Sequence, residues 1–110
     1  MLSRKHQGGS IMIVVSGTFE LGHASVETAR AAMAEMAEDT RGEKGCITYA
    51  FFQSIESPTT FRVFEEWESD GALKAHFDAP HMKEFRAKLG SLEILSRDVK
   101  RYVVSETTGL

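Results

Sequence analysis

The sequence predicts an α+β domain of the ferredoxin-like type, with elements in the order βαββαβ and a single four-stranded antiparallel sheet. Three observations lead there. Four short runs rich in β-branched and aromatic residues lie at 11–19, 46–54, 60–67 and 99–104. Apolar residues recur at three- and four-residue spacing between the first and second runs, and again between the third and fourth. The second and third runs are separated only by Glu56-Ser-Pro-Thr59, a turn-forming tetrad, so they read as a hairpin.

Each element follows from local chemistry. Strand 1 (11–19) is almost continuously apolar. Ser25 is placed to cap the first helix, with Glu27 in its positive first turn. Val26, Ala29, Met33, Met36 and Thr40 line one side of that helix, and Gly42 and Gly45 stop it. Strand 2 (46–54) alternates Ile47, Tyr49, Phe51 and Gln53 against Cys46, Thr48, Ala50 and Phe52. Strand 3 (60–67) sets Phe61, Val63, Glu65 and Trp67 on one face, and Arg62, Phe64 and Glu66 on the other. Ser69 caps the next helix, whose inner face carries Leu73, His76 and Phe77. Pro80 breaks it, because the residue before a proline avoids helical geometry, and then suits the first turn of a restarted helix. Met82, Phe85 and Leu89 face inward along that second segment, and Gly90 ends it. Strand 4 spans 99–104.

The helices of this order cover one sheet face, yet strands 1 and 2 are apolar on both. A strand apolar on both sides is normally buried on both sides. The uncovered face therefore predicts a homodimer, two sheets packed face to face with helices outside.

With 110 residues and 42% apolar side chains the chain fits one domain, 11–110, behind a polar, glycine-containing leader at 1–10. A net charge of −3 and no basic cluster argue against nucleic acid. The lone Cys46 excludes an internal disulfide and a cysteine-rich zinc site, and fits a small core residue in a reducing cytoplasm. No apolar run reaches membrane-spanning length. No glycine-rich loop follows a strand, so dinucleotide binding is not expected.

The chemistry concentrates at 61–81. Glu65 alternates with Val63 and Trp67, and a carboxylate on an apolar face must be paired or functional. It orients a histidine, accepts a phenolic proton, or pairs with a group on the following helix. If the strand is flipped, Glu66 takes its place. His76 is the candidate base, Glu65 its orienter, and Trp67 the stacking wall and possible donor to a substrate oxygen. Val63, Met33, Phe77, Met82 and Phe85 supply pocket walls. His81 sits at the helix restart, and Arg86 meets an anionic substrate if it points inward. His76 and His81, five apart across a proline break, are poorly spaced to share a metal, and no metal site is expected.

Gly45-Cys-Ile-Thr-Tyr49, Pro58 in the hairpin turn, Phe64-Glu-Glu-Trp67-Glu-Ser, Ala72-Leu73, Ala75-His76 and Pro80-His81, taken in order, resemble the antibiotic biosynthesis monooxygenase domain over about 11–89. The resemblance implies a dimeric α+β barrel and small aromatic substrates such as quinols, oxidised by O₂ without metal or flavin. Other branches degrade haem or isomerise a phosphorylated sugar, so family fixes fold better than reaction. The haem-degrading and polycyclic-phenol branches use a pocket asparagine, and this chain has none. The iron-binding histidine of the haem branch aligns with Arg86. The expectation is a cofactor-independent quinol monooxygenase. An isomerase or tautomerase using the same base, or a dimeric module that binds a small hydrophobic metabolite, are the alternatives.

Overall fold

The computed structural model describes residues 12–110; the leader expected at 1–10 and the first residue of strand 1, Ile11, lie outside them. The elements are β1 (Met12–Leu21), a 3-10 turn (His23–Ser25), α1 (Val26–Thr40), β2 (Cys46–Gln53), β3 (Thr60–Trp67), α2 (Asp70–Phe77), α3 (Pro80–Leu89) and β4 (Ile94–Val104). The strands form one antiparallel sheet in the order β2-β3-β1-β4, as the ferredoxin-like arrangement requires.

Register decides which side chains meet. Trp67 lies opposite Ile13, Glu65 opposite both Val15 and Tyr49, and Val63 opposite Gly17 and Phe51. Opposed residues share a face, so β1, β2 and β3 present one surface to the helices. Ile13, Val15, Tyr49, Val63 and Trp67 pack there with Met36, Ala37 and Leu73. A second cluster joins Leu21 and Phe61 to Val26, Ala29 and Met33. All five α1 positions expected to face inward are buried. Gly17 is obligatory at the centre of β1, since a Cβ there would stand 2.2 Å from the Asp98 carbonyl oxygen.

Three expectations need correction. β4 begins at Ile94, five residues before the predicted start. Its side chains are exposed on both faces along most of its length, so no alternation marks it. Ser25 does not cap α1 with its side chain. Its backbone is already helical (φ −90°, ψ −8°) because the 3-10 turn runs into the helix, and its hydroxyl accepts instead from the Glu93 N–H at 3.0 Å. Phe77, expected on the inner face of α2, is 45% exposed at the helix's last residue. Ser69 does cap α2, accepting from the Ala72 N–H at 3.1 Å. Among the described residues, no helix is long and apolar enough to cross a membrane.

Candidate functional site

The alternation of β3 decides between the two neighbouring glutamates. Glu65 is buried on the helix-covered face with Trp67 and Val63. Glu66 lies on the opposite face, where its carboxylate accepts from the Thr48 hydroxyl. The Trp67 indole N–H donates to Glu65 Oε1 at 2.9 Å. Burial pushes the Glu65 carboxyl up to about 7, against the lowering effect of that indole bond, and the nearby Glu43 charge adds to the rise.

His76 lies in the last turn of α2 and is fully buried. Its ring sits 4.8 Å from the Trp67 ring and 5.4 Å from Tyr49, centroid to centroid. Tyr49 is itself buried, and loss of solvent drives its phenol well above the ordinary range. His76 Nδ1 lies 2.8 Å from Glu43 Oε2. His81 Nε2 reaches the same oxygen at 2.5 Å. Burial holds the His76 imidazole below its ordinary value, although the Glu43 contact pulls the other way. A carboxylate accepts but cannot donate. Glu43 therefore selects the tautomer of His76 with the proton on Nδ1. Nε2 is left as a buried lone pair with no partner among the described residues.

Local structure brings these groups together. Glu43 sits in the turn after α1, its N–H bonded to the Thr40 carbonyl. The turn closes at Gly45, whose φ of +87° suits only glycine, and a Cβ there would lie 2.5 Å from the Ala72 Cβ on α2. The turn can thus press against the helix that carries His76. Ala79, extended before Pro80 (φ −66°, ψ 144°), redirects the chain so that His81 at the start of α3 comes back toward His76.

The family question is settled by the same segments. Residues 12–88 match the family described as "Antibiotic biosynthesis monooxygenase". The chain belongs to that family. Among similar proteins, the uncharacterised protein sll1783 of Synechocystis is 31% identical over 109 residues, covering 99% of this chain and 74% of the relative. The Mycobacterium tuberculosis protein named "Putative monooxygenase Rv0793" is 36% identical over 70 residues, covering 64% of this chain and 66% of that one. Its solved structure superposes with a TM-score of 0.81 at 26% identity, over 89% of this chain and 99% of that chain. A conserved protein from Methanosarcina mazei superposes with a TM-score of 0.78 at 26% identity, over 84% and 92% of the two chains.

Within this antibiotic biosynthesis monooxygenase fold the expected site residues divide. Trp67, Glu65, Val63 and His76 converge on one buried surface. The carboxylate bonded to His76 is Glu43, however, and Glu65 is taken up by Trp67. Glu43 lies in a polar turn, 33 residues before His76, and nothing in its local pattern distinguishes it from a solvated acid. The spacing argument against a shared His76–His81 site also fails, because the proline break folds the two rings onto one carboxylate oxygen. Met82 and Phe85 pack half-buried against the core, with Phe85 6.0 Å from the Phe51 ring. Arg86 points outward and donates to the Phe77 carbonyl at 3.0 Å. Met33 lines a separate cavity of about 360 Å³ between α1 and β2, with Phe51, Phe61, Arg30, Arg41 and Gln53 among its walls. His76 does not touch that cavity. Tyr49 is a further wall residue, beside both Trp67 and His76, and its place in the strand 2 alternation carries no signal of that role.

Proposed function

We propose that the protein is a monooxygenase that oxidises a small quinol or similar electron-rich phenol with O₂ and no cofactor, His76 acting as the base. One observation carries this reading: a neutral imidazole, its Nδ1 proton held by Glu43, keeps a bare Nε2 beside Trp67 and Tyr49. That is the arrangement of an oriented general base against an aromatic wall. His76 takes the phenolic proton, and the resulting anion is electron-rich enough to reduce O₂ itself. The balance closes without an outside reductant: a quinol plus O₂ yields a hydroxyquinone plus water, all four electrons coming from the substrate. Glu43 positions His76, and Trp67 stacks on the ring being oxidised. Glu65, a carboxyl that changes charge near neutrality, accepts a second proton from the substrate side. Substrate reaches the closed Nε2 when α3, which has no fully buried residue, lifts from the core.

The test is oxygen uptake over a quinol panel, with a chelator present and no flavin or nicotinamide. Uptake above the uncatalysed rate is expected. His76→Ala should lower kcat by roughly 10²–10⁴ with a smaller change in KM. Glu43→Gln should lower kcat less, since the amide still accepts the Nδ1 proton. An unchanged kcat in His76→Ala removes His76 from the chemistry. Substrate conversion without oxygen uptake would point to an isomerase.

A further inference from the structure

Glu43, His76 and His81 also have a property that the oxygenase reading does not use. Their ligand atoms, one carboxylate oxygen and two imidazole nitrogens, all lie within 4.8 Å of one another. They come from three separate elements, the turn after α1, the end of α2 and the start of α3, so the cluster is a product of the fold and not of one helix's spacing. We infer that Glu43, His76 and His81 form a His₂–carboxylate site for a divalent transition ion of the zinc type.

Geometry and chemistry both favour it. Zinc binds histidine nitrogen and carboxylate oxygen at about 2.0–2.2 Å, which in a tetrahedron places neighbouring ligand atoms roughly 3.4 Å apart. Glu43 Oε2 is now 2.8 Å from His76 Nδ1 and 2.5 Å from His81 Nε2. Seating the ion opens these two contacts by less than about 1 Å and brings the two imidazole nitrogens, at most 4.8 Å apart, to a similar spacing. Two imidazoles and one carboxylate match zinc, cobalt and nickel, whereas magnesium and calcium prefer all-oxygen shells. The Glu43 and His81 side chains keep 14% and 19% of their surface exposed, which gives the ion a route in and leaves a fourth position for water.

The ion and the base are alternative states of one cluster. Coordination through Nδ1 moves the ring proton of His76 to Nε2. The loaded protein then has no bare nitrogen to offer a substrate, so the metal blocks the proposed oxygenase chemistry. The binding itself does not depend on that chemistry and is read without substrate.

The experiment titrates the full chain, freed of metal by dialysis, with ZnCl₂ by calorimetry and with CoCl₂ by visible absorption. One ion per chain is expected, with the intense visible bands of low-coordinate cobalt, and MgCl₂ at the same concentration should give no signal. His81→Ala and Glu43→Gln should each weaken binding at least roughly tenfold, the loss that disturbing even an outer partner of a metal site brings. Circular dichroism checks that each variant is folded. A measurement on the unaltered chain covers the case in which a variant fails to fold: zinc should protect His81 from diethylpyrocarbonate, read by mass spectrometry. No saturable binding, binding undiminished in folded variants, or modification of His81 at an unchanged rate overturns the site. None of these outcomes bears on oxygen uptake measured with chelator present.

Discussion

Glu65 is the residue at which burial and ionisation oppose each other most directly. Burial pushes its carboxyl up to about 7 in the folded protein, from an ordinary 4.5. Between those values the folded state holds a proton that the unfolded chain releases, so stability falls as pH rises across that window and levels off above it. Glu65→Gln keeps an oxygen for the Trp67 indole and removes the charge. The variant should therefore match the parent near pH 4.5 and exceed it above pH 7, by on the order of 3 kcal/mol. Urea midpoints at pH 5 and pH 8 measure this, and parallel pH trends for the two proteins would show that Glu65 ionises normally. That Glu65 and Trp67 share a buried face was legible in the sequence, because strand alternation is strict and an acid between Val63 and Trp67 stands out. Glu43 was not legible. Its neighbours Arg41, Gly42, Lys44 and Gly45 look like any polar turn, and its partners lie 33 and 38 residues away.

Among the elements, α2 is short, with eight residues, and depends on its ends. The Ser69 hydroxyl satisfies one of its orphan N–H groups, and Asp70 sits in the positive first turn. Ser69→Ala should cost about 1 kcal/mol of stability, visible as a lower denaturant midpoint. An unchanged midpoint would mean that water replaces the cap. This cap could be read from sequence because serine followed by an acid is a strong helix start. The same rule misfired at Ser25, where a 3-10 turn absorbs the helix start and frees the hydroxyl for Glu93. β4 shows the complementary failure. It is an edge strand whose residues 94–98 are exposed, so tertiary pairing with β1 alone makes it a strand. Where two faces differ in environment, as along β3, the sequence records it; where they do not, there is no pattern to find.

For the whole molecule, the βαββαβ order was legible because each connection is short and each element carries its own period. Assembly is written less directly, in what the fold leaves bare. The face of the sheet away from the helices carries Val14, Ala50, Phe64 and Tyr102, and Phe52 on it is 54% exposed. A patch of this kind on a monomer invites covering, and we propose that a second copy covers it. Sedimentation at micromolar concentration should then give about twice the 12.2 kDa chain mass. Phe64→Lys should shift the protein to monomer while the helix-covered face keeps its packing. A parent that sediments as a monomer would overturn the face-to-face assembly.

In the proposed scheme, the single oxygen shared by His76 and His81 would also link entry to reactivity. While α3 is seated, Glu43 Oε2 divides its acceptor strength between two rings. On the proposed entry route α3 would swing out, His81 would depart with it, and His76 would become the sole claimant on that oxygen. The imidazolium formed as His76 takes a proton would then be better stabilised than in the closed state. Under that proposal the gate and the basicity would be thermodynamically coupled: the closed protein would keep its base subdued, and the motion that lets a phenol in would be the motion that strengthens it.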